Sequence, residues 1–140
     1  MLKKKNFKGF WLFGVSGSGK TRISKKIAKK IKNSFIIDGD VVRSLVSFDL
    51  GYSLKDRVKQ NKRVLGLAKI VIRNNYFPII SSVYLDPKIF KIARKIKIKI
   101  FKVATTNTKK INFKLKNKKN VVGKSILQPK LNCEILTNNF

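Results

Sequence analysis

Short unbroken apolar runs alternate along the chain with longer stretches in which apolar residues recur every three or four positions. Residues 10–13, Phe-Trp-Leu-Phe, have strand length and no polar interruption, as expected for a parallel-sheet strand covered on both faces. After a Gly-rich turn, Ile23, Ile27 and Ile31 recur every fourth position among lysines, which predicts a helix with one buried stripe. Residues 35–38 read as a second strand. Ser53 followed three positions later by Asp56 is an aspartate variant of the capping box. It opens a long helix over about 54–74, with Val58, Leu65, Ala68 and Ile72 toward the core. A third strand over 76–83 is entered through Pro78, a helix follows with Pro87 in its first turn, and 98–103 and 133–136 read as further strands. Strands alternating with helices imply an α/β fold, a doubly wound parallel sheet of about five strands flanked by helices.

The stretch 104–120 is polar and basic without a clean period, and fits either a lid or a solvated helix with a ragged surface. No repeat or linker divides the chain, and 140 residues suffice for one core, so a single domain over 1–140 is expected.

Composition narrows the chemistry. Hydrophobic residues make up 43% of the chain, enough to build a core rather than remain disordered. One cysteine, Cys133, excludes an internal disulfide. The absence of histidine leaves neither a zinc site nor a histidine-based triad. The basic N-terminus leads into an apolar stretch too short for a signal sequence or a membrane span, so a soluble cytoplasmic protein is expected, with no membrane partner.

The net charge of +28 rests on 34 lysines and arginines, of which only six are arginine. Arginine forks and exposed aromatics are not clustered, so the lysines read as surface filler reflecting an A/T-rich coding bias rather than a nucleic-acid surface. The field still favours small anionic ligands.

Gly14, Gly19, Lys20 and Thr21 fill every fixed position of G-x-x-x-x-G-K-[ST], between the first apolar run and the first helix. In such a P-loop, Gly14, Ser16, Gly17, Ser18 and Gly19 offer a nest of backbone N–H groups to phosphate oxygens. Lys20 reaches the β/γ-phosphates, and the Thr21 hydroxyl ligates Mg²⁺. The expected fold is therefore a P-loop NTPase fold, with ATP as co-substrate and Mg²⁺ as cofactor.

The chain has only six acids, and two of them, Asp38 and Asp40, stand at the end of the second strand, where open α/β sheets bind ligands. Phosphoryl transfer to a hydroxyl needs a group that orients the acceptor and takes its proton. Asp40 is the candidate base, with Lys20 as its catalytic partner and Asp38 in support through water or Mg²⁺. Downstream, Arg43 and Arg57 can fork onto a phosphate or sulfate, Asn61 lies one turn beyond Arg57, and Tyr52 can stack on a base.

These blocks, "GVSGSGKT", "IDGDVVRSL", "DLGYSLKDRVKQNKRV", "PIISSVYLD" and "KNVVGKSI", stand in the order in which they occur in adenylylsulfate kinases, and the sequence resembles that family from residue 10 to 139. The resemblance implies that Gly14 to Thr21 bind the phosphates of ATP and its Mg²⁺. It places Asp40 beside the acceptor ribose, Arg43 on the acceptor phosphosulfate and Tyr52 on its adenine. Arg57 and Asn61, in a D-R-x-x-x-N match, would bind the same substrate. Val121, Val122 and Gly123 would lie near the ATP base. The implied reaction moves the γ-phosphoryl group of ATP to the ribose 3′-hydroxyl of adenylyl sulfate, within sulfate assimilation, and a homodimer is compatible with the family.

Two segments differ from the family's pattern. Its Ser-Pro-Tyr-Arg after the third strand is "SSVYLDP" here, and its lid Arg-Asp and Lys-Gly-Leu-Tyr are missing from 104–120, which has no arginine, aspartate or glycine. Lys109, Lys110 or Lys116 would then supply point charges without the bidentate fork. Two alternatives keep the fold: a kinase of another small hydroxyl acceptor, and a weakly active nucleotide-binding homologue.

Overall fold

The structure, a computed structural model, describes residues 6–104, 121–122 and 125–137. Gly123, Lys109, Lys110, Lys116 and all of the 104–120 segment beyond Ala104 lie outside the described residues.

Five parallel strands form one sheet in the order β2-β3-β1-β4-β5. They are β1 (Gly9–Phe13), β2 (Ser34–Asp38), β3 (Phe77–Ser82), β4 (Ile98–Ala104) and β5 (Glu134–Thr137). Helices α1 (Lys20–Lys30), α2 (Gly39–Leu45), α3 (Leu54–Arg73) and α4 (Pro87–Lys95) connect them.

Side chains of a strand alternate between faces, and β1 shows why its run is unbroken. Phe10 and Leu12 pack with Ile23, Ile27 and Ile31 of the α1 segment, while Trp11 and Phe13 pack with residues of α2, α3 and α4. On the α1 side, Phe10 meets Phe77 and Phe101 edge to face at 4.9 and 5.4 Å, a favoured aromatic geometry.

The helix starts follow their caps. The Ser53 hydroxyl accepts from Asp56 N at 3.2 Å, and the Asp86 carboxylate accepts from Lys88 N and Ile89 N ahead of Pro87. The capping box is not reciprocal: the Asp56 carboxylate instead accepts from Gly51 N at 2.9 Å, tying the preceding loop to the helix. Along α3, Leu65 and Ala68 are buried as expected, Val58 and Ile72 are partly buried, and Val64 is fully buried.

β2 lies at the edge of the sheet, so its apolar run is not enclosed: Phe35 and Ile36 are exposed and only Ile37 enters the core. The periodicity did not indicate α2, a seven-residue helix that begins directly after Asp38. The free thiol of Cys133 is half-buried beside the core. No described helix is long and apolar enough to cross a membrane.

Candidate functional site

The carboxyl ends of β1, β2 and β3 open into one cleft of about 740 Å³. Of the P-loop, Ser16, Gly17, Gly19, Lys20 and Thr21 line it. Gly17 and Gly19 adopt φ of 85° and 97°, a left-handed conformation that glycine enters without a Cβ penalty. Gly14 and Ser18 lie beneath the lining. A Cβ on Gly14 would collide with the carbonyl oxygen of Val103, so only glycine lets β1 turn there against β4. Ser18 is buried, with its backbone N–H donating to Val15 O and its hydroxyl unpartnered among the described residues. Lys20 Nζ donates to Gly14 O at 2.6 Å and Val15 O at 3.0 Å, bracing the loop from inside.

In the same cleft, Asp38 ends β2 and Asp40 sits in the first turn of α2. Burial first, and then the neighbouring Asp40 charge, push the Asp38 carboxyl above its ordinary value, although Lys20 and the N–H groups of Asp40 and Val41 pull it down. A carboxyl raised on folding withholds stability once ionised. The loss is absent below the ordinary value of 3.8, grows as pH rises from there through the folded value, and is complete above it. Asp38→Asn, which retains a good N-cap, is therefore expected to melt above the parent at neutral pH. The difference should close toward about pH 3; a uniform difference across the pH range, by calorimetry, would contradict this.

The far wall is basic. Arg43 Nη1 donates to Gly51 O at 2.7 Å and Arg57 Nε to Tyr52 O at 3.0 Å. Both guanidinium groups face the Tyr52 ring, at 4.4 and 5.5 Å from its centroid. Arg57 is only 8% exposed, and burial together with the Arg43 charge lowers its pKa. Of the acids in the following segment, Asp49 forms a two-point bridge to Arg63 at 2.6 and 2.9 Å, and Asp56 holds Gly51 N. Two cations held together by backbone carbonyls suit a polyanion.

Asn61 lines the same cleft, but both ends of its amide are used in the fold. Nδ2 donates to Tyr84 O at 3.0 Å and Oδ1 accepts from Asp86 N at 2.7 Å, so it fixes the β3–α4 loop. Its neighbour Gln60, passed over in the sequence, has an amide oxygen with no partner among the described residues. That oxygen, Oε1, is buried, and Nε2 donates to Gly39 O at 3.3 Å. The signal was available, since Gln60 stands three positions after Arg57 on one helical face.

Ser81, Ser82 and Tyr84 also line the cleft. Ser82 and Tyr84 belong to a chain in which Trp11 Nε1 donates to Ser82 Oγ at 2.8 Å and Ser82 Oγ donates to Tyr84 O at 2.9 Å, while the Ser81 hydroxyl pairs with that of Ser24 at 2.8 Å. Val121 and Val122 line the cleft as well, and Val122 packs with Tyr84 and Ile126. Gln128 holds this segment down by accepting from Leu85 N and donating to Leu85 O, both at 2.8 Å.

The sequence model of one protein family, described as adenylylsulphate kinase, matches residues 8–117. A probable adenylyl-sulfate kinase of Pyrococcus abyssi is 37% identical over 89 residues, covering 61% of this chain and 51% of that protein. One from Synechocystis is 35% identical over 77 residues, covering 52% and 44%. The chain thus spans about half the length of the curated relatives it matches. Among solved structures, a Mycobacterium tuberculosis APS kinase in complex with AMPPNP and APS has a TM-score of 0.81 at 19% identity, covering 96% of this chain and 90% of that one. A sugar kinase from Janibacter reaches 0.64 at 14% identity, covering 93% and 83%. These structural likenesses identify the fold as that of the P-loop kinases, and the family match over 8–117 shows that the chain belongs to the adenylylsulphate kinase family.

Proposed function

We propose that the protein transfers the γ-phosphoryl group of ATP to the ribose 3′-hydroxyl of adenylyl sulfate, as one domain over 1–140. The observation that carries this reading is the cleft itself. It is lined by Ser16, Gly17, Gly19, Lys20 and Thr21 of the phosphate loop, by the Arg43–Tyr52–Arg57 cluster and by the Asp38–Asp40 pair. The loop and Lys20 hold the donor phosphates; the two guanidinium groups hold the acceptor phosphosulfate, and Tyr52 offers its ring to the adenine. Asp40 orients the 3′-hydroxyl and takes its proton as the oxygen attacks. Val121 and Val122, with Gly123, border the ATP base.

Among the described residues, no group of three or more acids or cysteines could cage a metal alone. That suits Mg²⁺ carried by the nucleotide, which needs only one or two protein oxygens beside phosphates and water. Thr21 Oγ1 and Asp38, both in the cleft, would hold it. When bound it spreads the negative charge of the transferring group.

Gln60 joins the acceptor residues on this reading, with Oε1 accepting a substrate N–H or O–H. Gln60→Leu is expected to raise the KM for the acceptor roughly two- to tenfold, the span of one hydrogen bond. The KM for ATP should stay unchanged, and an equal rise for both substrates would contradict the assignment.

ADP release from ATP and Mg²⁺, with and without adenylyl sulfate and with the product identified by mass, tests the reaction. A 3′-phosphorylated product supports it. A second reading, an acceptor other than adenylyl sulfate, is favoured by Val83 and Leu85, which replace the proline and arginine of the family's pattern in the loop fixed by Asn61. Turnover of another hydroxyl compound with none of adenylyl sulfate would select it.

A further inference from the structure

A second cavity, of about 440 Å³, shares no lining residue with the cleft. It lies at the other end of the sheet, where β4 and β5 begin and α4 ends, with Phe7 just ahead of β1 on its wall. Its volume falls within the roughly 300–1,000 Å³ typical of small-molecule sites. Phe90, Ile98 and Ile100, all buried, line it from the core side.

The charge around this recess is unbalanced. Arg94, Lys97 and Lys99 line it against one acid, Glu134. Glu134 bonds Lys99 at 3.1 Å, and Lys99 Nζ also sits 5.2 Å from the centroid of the Phe7 ring. The other five acids of the chain stand elsewhere: Asp38 and Asp40 in the cleft, Asp49 on Arg63, Asp56 on Gly51 N and Asp86 at the start of α4. Arg94 and Lys97 therefore have no acidic partner among the described residues. With 34 cations against 6 acids that alone is ordinary; what sets these two apart is the apolar recess they flank. The Arg94 guanidinium stands 5.5 Å from the centroid of the Phe90 ring, which steadies a planar fork of donors beside the apolar wall.

We propose that this cavity binds a small organic monoanion, a carboxylate with an aromatic or acyl body, its head on Arg94 and Lys97 and its body against Phe7, Phe90 and Ile100. Glu134 on the same lining disfavours a second negative charge, and with it polyphosphates. The inference is independent of the proposed reaction.

Cys133, the one cysteine of the chain, lines the cavity half-buried and reports on it. The probe is 1-naphthoate, and the readout is the rate at which the neutral reagent N-ethylmaleimide alkylates Cys133 in the full chain, followed by mass. Saturating naphthoate should slow alkylation at least about fivefold, with half-protection at roughly 0.1–1 mM. 1-Naphthalenemethanol, the same body without the charge, should protect at least about tenfold more weakly. Arg94→Gln should raise the half-protecting concentration roughly tenfold. Each variant is read against its own rate without naphthoate, because burial raises the thiol pKa and Arg94 is among the groups that draw it back down. Lys97→Asn, at a position with φ of 66° that asparagine accepts, should raise it roughly threefold and decides the matter should Arg94→Gln unfold. Lys91→Gln, exposed on the same helix outside the cavity, should change nothing. No protection up to about 10 mM, equal protection by the alcohol, parent-like protection in a folded Arg94→Gln or Lys97→Asn variant, or an equal shift in Lys91→Gln would each overturn the proposal.

Discussion

Asp40→Asn is expected to lower turnover by two to four orders of magnitude, roughly the range general-base catalysis contributes, with ATP affinity left within about twofold of the parent. Asparagine keeps the shape of the side chain and its place in the first turn of α2, but cannot take the proton of the acceptor hydroxyl. The phosphate loop is on another element and Lys20 bonds Gly14 and Val15 within it, so donor binding should depend little on the substitution. The two carboxylates also interact. Asp40 helps to raise the Asp38 carboxyl, so removing its charge should lower the pKa of Asp38 and move any acidic limb it gives the residual activity to lower pH. Isothermal titration with a non-hydrolysable ATP analogue, set beside single-turnover rates, separates the effects. Matching losses in affinity and rate would show that Asp40 holds the site together rather than acting on the acceptor.

The fold was legible wherever local pattern and tertiary position agree. The run Phe10–Phe13 is apolar throughout because β1 sits mid-sheet between two helical layers. Ser53 and Asp86 mark helix starts because the side-chain oxygen needed there is itself in the sequence. Where pairing decides the outcome, the pattern says less. Phe35–Ile37 reads like an enclosed strand, yet strand order puts β2 at the edge, and no local signal encodes strand order. Helix α2 is too short to display a period, and its first residues overlap a motif that also fits a turn.

The same division runs through the site. Residue type, spacing and place at strand ends, with the family resemblance, brought Asp38, Asp40, Arg43, Tyr52, Arg57 and the loop to attention, and these five line one cleft with Ser16, Gly17, Gly19, Lys20 and Thr21. Gln60 and Asn61 could not be told apart in this way. They are adjacent on α3 and about 100° apart around its axis, and both are buried. What separates them is whether a backbone partner lies within reach. Tyr84 O and Asp86 N engage both ends of the Asn61 amide, whereas Gln60 meets only Gly39 O and its oxygen has no partner among the described residues. Those partners lie 21 to 25 residues away in sequence, beyond the reach of any local pattern.

Lys20→Ala should weaken ATP binding and transfer together. Charge-assisted hydrogen bonds contribute about 1.5–3 kcal/mol each, so the dissociation constant for ATP should rise roughly 10- to 150-fold. Turnover should fall by roughly a further 10²–10³, because a donor aimed at charge that develops during transfer counts most in the transition state. Part of the binding loss arises in the loop itself, since Nζ bonds Gly14 O and Val15 O. Lys20→Arg keeps the positive charge but presents it through a wider planar fork, and should recover binding better than transfer. The substitution to alanine also removes the charge that lowers the Asp38 carboxyl. Asp38 should then titrate at higher pH in Lys20→Ala and at lower pH in Asp40→Asn, measurable by NMR of the carboxyl carbon. Opposite shifts of one carboxyl would place Lys20, Asp38 and Asp40 in a single electrostatic unit. No shift in either variant would separate Asp38 from both, leaving the acceptor carboxylates and the phosphate loop to act independently.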